Sequence, residues 1–503
     1  MEPDATTGAP AEGTSKSAVK KAAKEAEKAR KKAEKAAALA AASGEGSGGA
    51  GFAAAAAAAM GAAKPTISLD PPTGTRDFYP DEMRVRSWLF GHFREVARQF
   101  NFQEYDAPVL EHDELYKRKA GEEITGQMYN FVDKDGKNVT LRPEMTPSLA
   151  RMVLGLGGKA MLPLKWFSLP QCWRYEAVQR GRKREHYQWN MDIFGERGIS
   201  AELELLAAIV TFFERVGITS EDVGLKVNSR AVLSSVLTAH GVPPDAFAKV
   251  CIVVDKLDKI GEEATVAELE TVGLTKEVGS KIVATLAIRS FAELKALLGD
   301  DEVAATAVGD LEKLFALAEE YGIADWLQFD ASVVRGLAYY TGVVFEGFDR
   351  SGELRAICGG GRYDRLLSLY GAAAEVPACG FGFGDCVVME LLQVKGKMPV
   401  LPQVASFVVV PFDASMRGPA LRVARALRAG GYSVDMLLEP TKKVKSAFSY
   451  ADRVGGQRAV FVAPDEWAKG CVRVKDLRGG DDESKQVDVP FDSLMDKLAQ
   501  LNI

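Results

Sequence analysis

The stretch of this chain best equipped for chemistry is QCWRYEAVQRGRKREHYQWNMDIFG, residues 171–195. Two strand-like runs flank a loop that holds Arg180, Gly181, Arg182, Lys183 and Arg184. Side chains two or four apart in a strand emerge on one face, so a hairpin here presents Arg174 and Glu176 from one strand beside Gln188 and Asp192 from the other. A cation, two carboxylates and an amide then share one floor. Taken alone, a basic hairpin loop is more often a solvated turn. A second stretch, VVRGLAYYTGVVFEG (residues 333–347), buries an arginine in an apolar strand. Tyr339 and Tyr340 fit an ordinary core, but Arg335 must find an anion, because an unpaired buried guanidinium is costly. In CGGGRYDRLLSLYG (358–371) three consecutive glycines let backbone approach a ligand, although tight packing or a bulge explains them as well. In LRPEMTPSLAR (141–151), Glu144 and Thr146 stand just before a helix expected to begin near Pro147. His186 reads as a structural or solvent-facing histidine.

The elements that must position these residues belong to a chain of 503 residues, beyond the ~250–300 at which one core stops growing, so two or three globular units are expected. With 47% hydrophobic and 26% charged residues the composition is that of a soluble globular protein. The net charge of -6 leaves any nucleic-acid contact to local basic surfaces. Six scattered cysteines without a CxxC pair suit a reducing compartment and argue against structural zinc, and no run is apolar enough to span a bilayer.

Residues 1–68 form a low-complexity Lys/Ala-rich extension; a plain tail, an RNA-binding arm and a transit peptide all remain open for it. Residues 69–395 carry the chemistry, and within them about 230–324 reads as an inserted helical module. From 404 to 503 strands alternate with helices, which predicts a separate α/β domain.

The order GTRDF (74–78), EYDAPVLE (104–111), LRPEMTPSLAR, the arginine-bearing hairpin, RGLAYYTG, CGGGRYD and GFGFG (380–384) resembles class II histidyl-tRNA synthetases, in the bacterial or organellar style. The resemblance runs from about Pro71 to the C-terminus. It implies an α+β catalytic domain built on an antiparallel sheet, a C-terminal α/β anticodon-binding domain, and a homodimer closed through Pro108. It also implies ATP-dependent activation of L-histidine and transfer to tRNA(His), with Mg2+ carried by ATP and no metal ligands from the protein.

Carried over residue by residue, the resemblance makes Arg335 and Arg174 the catalytic cations. Glu144, Met145, Thr146, Gln188, Asp192, Tyr339 and Tyr340 form the histidine site. Arg174, Glu176, Arg182 and Arg184 meet ATP, and Gln179 and Arg180 meet the tRNA acceptor end. Glu144 suits the substrate ammonium. Asp192, Gln188 and Tyr340 suit the two imidazole nitrogens, which would exclude apolar amino acids.

Two positions depart from the family. Ala338 stands where an aspartate is usual, and the arginine expected near Val387 is missing from GDCVVMELL. Arg182 and Arg184 are candidates to replace it. A histidine-sensing regulatory paralogue and an RNA-binding scaffold are the rival readings; the C-terminal domain and the set Glu144, Gln188 and Asp192 oppose them. The expected compartment is the cytoplasm, with plastid or mitochondrion as the alternative.

Overall fold

A computed structural model describes residues 60–61, 66–117, 125–334, 339–478 and 486–500. The N-terminal extension falls almost wholly outside them, as do Arg335 and Ala338. The chain divides into two compact units, one spanning Pro71–Leu401 and one containing Pro402–Ile503.

In the first unit, helix α1 (Pro80–Gln99) starts on a proline with Asp81 and Glu82 in its first turn, where fixed φ and negative charge both favour a helix start. It buries Leu89, Phe93, Val96 and Ala97, a stripe at helical spacing. Then follow β1 (Gln103–Glu104), α2 (Thr146–Leu156), β2 (Leu164–Ser168), β3 (Gln171–Trp173), β4 (Glu185–Phe194) and α3 (Ser200–Arg215). After these come β5 (Val223–Ser229), β6 (Leu327–Phe329), β7 (Val343–Asp349), β8 (Cys358–Arg362), β9 (Ala378–Gly384) and α4 (Asp385–Val394).

Among the described residues, nine strands make one sheet in the order β1-β2-β4-β9-β8-β7-β5-β6, with β3 pairing to β4. Only β1 with β2 and β5 with β6 run parallel; the long central strands are antiparallel, as the resemblance implied.

Strand alternation sorts the sheet into two faces. Trp189, Met191, Ile193, Phe381 and Phe383 point toward α1 and α3, where Phe93 stacks on Trp189 at 4.8 Å and Phe212 meets Phe383 edge-on at 5.1 Å. This aromatic core fixes the register of β4 and β9, since a slip of one residue would turn the whole set to the other face. The opposite face carries Gln188, Asn190 and Asp192 over glycines.

Between β5 and β6 the chain is helical, from Arg230–Ala239 to Glu302–Tyr321. The last of these helices is capped by Asp301, which accepts from the amides of Val303 and Ala304, and ends on Gly322 in the left-handed conformation.

The second unit is a five-stranded sheet built from β10 (Ala405–Pro411), β11 (Val434–Met436), β12 (Gly456–Val462), β13 (Cys471–Asp476) and β14 (Gln486–Pro490), in the order β11-β10-β12-β13-β14. Helices Arg417–Ala429 and Val444–Arg453 connect the parallel strands β10, β11 and β12. The last two strands return antiparallel, a hairpin-like end that strand and helix alternation did not foretell.

Candidate active site

The site begins with the hairpin. Strands β3 and β4 pair Gln171 with Tyr187 and Trp173 with Glu185, and the ladder continues as Arg174 N–H donates to the Arg184 carbonyl at 2.8 Å. Regular strand stops at Trp173, two to three residues short of the expected run, because Tyr175 N–H turns away to the Gln127 carbonyl at 2.7 Å. Glu176 therefore does not stand on a strand rung beside Asp192. The tip closes between Gln179 and Arg182, with Gly181 at φ +68°, a conformation that glycine adopts without strain.

The floor of the pocket is bare backbone. Asp192 pairs across the sheet with Gly380, which pairs with Gly361; Asn190 pairs with Gly382, which pairs with Gly359. A Cβ at Gly380 would lie 2.0 Å from Asp192 Oδ1, so only glycine leaves room for that carboxylate. A Cβ at Gly361 would come within 3.0 Å of the Tyr340 ring, which places Tyr340 over the same rung.

Asp192 is buried, and its Oδ1 accepts from the hydroxyl of Tyr363. Burial pushes its carboxyl up to about 7, against the opposing effect of that hydrogen bond. Oδ2 has no partner among the described residues, and neither has the buried hydroxyl of Tyr105. Tyr105 is close enough to feel the Asp192 charge, which together with burial holds its hydroxyl well above the usual tyrosine range. Gln188 reaches His186, its amide donating to the ring Nε2 at 3.2 Å. Burial, with Arg174, Arg76 and Arg182 nearby, pushes that imidazole down to about 3, so the ring is neutral and able to accept. His186 thus orients Gln188, a positioning contact that its expected structural role did not specify.

Glu144 lies just ahead of α2, buried, with Oε2 accepting from the Tyr339 hydroxyl at 3.3 Å and Oε1 unpartnered among the described residues. Burial raises its pKa, opposed by the charge of Arg174 and by the Tyr339 bond. Thr146 engages the same tyrosine hydroxyl. Met145 is fully buried, its sulfur accepting from Arg142 at 3.6 Å. Arg142 also binds the carbonyls of Ala107 and Gln171 and the carboxylate of Asp106, which ties this turn to β3. Arg174 donates from Nε to the Pro143 carbonyl at 2.9 Å.

The hairpin arginines are more committed than their sequence suggests. Arg182 pairs with the Glu176 carboxylate, and Arg184 lies 4.1 Å over the Tyr175 ring. Arg180 donates to Glu390 on α4 at 2.9 Å. Val387, where the family's arginine was expected, packs against the hairpin tip: a Cβ at Gly181 would sit 3.2 Å from it. At the start of α4, Asp385 accepts from Tyr187 N–H and pairs with Arg76 at 3.0 Å. Arg335 lies outside the described residues.

Sequence reading missed Tyr363 and His186 as partners of the named residues, and Tyr105 as a neighbour of Asp192. Tyr363 had a signal, since it directly follows the strand that carries the glycine run.

A family model described as histidyl-tRNA synthetase matches residues 74–384, and one described as an anticodon binding domain matches residues 406–501. The chain belongs to the histidyl-tRNA synthetase family. Among histidyl-tRNA synthetase relatives, the histidine–tRNA ligase named chloroplastic/mitochondrial of Arabidopsis thaliana is 52% identical over 82% of this chain and 84% of its own length. The histidine–tRNA ligase of Opitutus terrae is 40% identical over 80% of this chain and 93% of its own. The solved structure of histidyl-tRNA synthetase from Nostoc sp. PCC 7120 aligns with a TM-score of 0.70 at 24% identity, over 87% of this chain and 100% of that one. The histidyl-tRNA synthetase fold is thereby established for both the antiparallel catalytic sheet and the C-terminal domain.

Proposed function

We infer that the chain activates L-histidine with ATP and esterifies it to tRNA(His). The observation that carries the reading is Asp192: a buried carboxylate with one oxygen held by Tyr363 and the other without a partner among the described residues, set on a glycine floor beside Gln188 and Tyr340. An imidazole N–H supplies the missing donor, while an apolar side chain would leave the carboxylate unpaired, which is a strong basis for rejection.

Glu144 takes the substrate ammonium, with Met145 and Thr146 shaping the turn that carries it and Tyr339 and Tyr340 walling the pocket. Arg174 and Arg335 hold the carboxylate and the α-phosphate. The carboxylate oxygen bonds to the α-phosphorus as the bond to the bridging oxygen breaks and pyrophosphate leaves with the electron pair. Such a step is promoted by positioning and charge stabilisation, without a covalent nucleophile on the protein. Glu176 faces the adenine amino group, Arg182 and Arg184, held by Glu176 and Tyr175, flank the phosphates without anchoring the outer ones, and Gln179 and Arg180 meet the acceptor end of tRNA. Mg2+ enters on the phosphates of ATP. There it would keep phosphate oxygens and waters as its ligands.

The homodimer reading rests on exposed Pro108 and on Leu110, Phe131 and Val132, which are 43%, 47% and 63% exposed on a small three-stranded sheet. Apolar side chains so placed suit a partner surface. Sedimentation velocity tests it. For the compartment, the name of the Arabidopsis relative supports plastid or mitochondrion over cytoplasm; a fluorescent fusion to residues 1–68 tests that.

Histidine-dependent exchange between ATP and pyrophosphate, followed by charging of a tRNA(His) transcript, tests the whole reading. The regulatory-paralogue alternative draws on Val387 in place of arginine; it expects histidine binding with neither exchange nor charging.

A further inference from the structure

We propose that Arg355, on the loop between β7 and β8, supplies the cation for the outer phosphates of ATP that α4 lacks at Val387. The inference rests on the ligase reading and adds to it a residue that neither the motifs nor the resemblance singled out.

Three observations place Arg355. Two residues on, Ile357 accepts at its carbonyl from the amide of Gly384, the residue immediately before α4, at 3.4 Å. The Arg355 backbone therefore leaves the sheet beside the first turn of the helix that carries Val387. Its guanidinium Nη1 donates to Gln179 Oε1 at the hairpin tip, at 3.3 Å. The same tip packs on Val387 through Gly181. The hairpin tip, the start of α4 and Arg355 thus meet around the position from which the family's arginine would extend.

Charge pairing sets Arg355 apart from the neighbouring arginines. Arg180 pairs with Glu390, Arg182 with Glu176 and Arg76 with Asp385, while Arg184 is stacked on Tyr175. Arg355 meets a neutral amide, and among the described residues no carboxylate pairs with it. A guanidinium neutralised by nothing stronger than an amide exchanges that bond for a phosphate readily, and its planar fork matches two phosphate oxygens at once. As pyrophosphate departs, this charge stabilises the oxygens that take up the electron pair.

The test compares nucleotide affinities by calorimetry, because binding is read whether or not catalysis follows. In the wild-type protein MgATP should bind more tightly than AMP. Arg355→Met should weaken MgATP by about 10- to 100-fold, the loss of a charged hydrogen bond, and leave AMP nearly unchanged. Arg355→Lys should recover part of the loss, and KM for ATP in exchange should follow the same order while KM for histidine holds. Equal loss of ATP and AMP, unchanged ATP affinity in Arg355→Met, or a change confined to KM for tRNA would each overturn the inference. Should Arg355→Met fail to fold, Arg355→Lys decides through the ATP-to-AMP ratio, which a structural role leaves untouched. A wild-type protein that prefers ATP but never exchanges pyrophosphate would sink the ligase reading and leave the role of Arg355 in binding to be judged by the same ratio.

Discussion

The hydroxyl of Tyr363 donates to Oδ1 of Asp192, so the carboxylate is held at one oxygen by the protein and offered to the pocket at the other. Asp192→Ala should therefore raise KM for histidine about 30-fold or more, the scale of losing one partner of a buried charged hydrogen bond. Tyr363→Phe keeps the ring and removes the tether, and should raise the same KM about tenfold with little effect on KM for ATP. Steady-state exchange kinetics decide it. A normal histidine KM in Asp192→Ala would take that residue out of the site.

The same carboxylate makes the ligand-free protein sensitive to pH. Its folded value of about 7 exceeds the value near 3.9 of an unfolded aspartate. Between these the folded state binds the extra proton, so stability is fully present at low pH and lost as pH rises through about 7, by up to about 4 kcal/mol. Asp192→Asn has no charge to bury and can still accept from Tyr363. It should melt above the wild type at about pH 8.5, with the gap closing toward about pH 4.5. Thermal melts in which the gap is independent of pH would contradict a buried ionising carboxylate here.

Arg180 meets Glu390 across a half-exposed surface, where such a pair contributes ~1 kcal/mol or less. Arg180→Ala should leave the melting temperature and pyrophosphate exchange almost unchanged while charging of tRNA(His) falls. Normal charging would mean that the residue serves only the surface pair. The single substitution is preferable to a double one with Gln179, because Gln179 also touches Arg355.

Arg335 is predicted from its sequence position to hold carboxylate and α-phosphate together. Arg335→Lys retains charge but not the fork, and should lower kcat for exchange by ~10²–10³ with much smaller changes in either KM. A variant that loses only histidine affinity would make Arg335 a binding residue instead.

What the sequence disclosed followed its periodicities. The spacing of four between Gln188 and Asp192 in a strand-like run is a local signal, and the two side chains do share one face of β4. The same logic overextended β3 through Glu176, because the bond that ends it, Tyr175 to Gln127, joins segments about fifty residues apart and leaves no mark on local pattern. The antiparallel class of the main sheet came from motif order, since burial on one face looks alike in either direction of pairing. Partners such as Tyr363 for Asp192 and Arg355 for Gln179 lie 171 and 176 residues apart, so only the folded chain could pair them.

The glycine floor limits how this pocket could be altered to accept another amino acid. A designer usually enlarges a binding site by trimming a side chain beneath the ligand, but under Asp192 there is none to trim, and any atom added at Gly380 collides with the carboxylate. Altered substrate choice must therefore come from the rim, through Tyr340, Tyr363, Gln188 or Asp192 itself. Libraries that vary Gly361 or Gly380 should return inactive clones, while those that vary the rim sample side chains that can be exchanged.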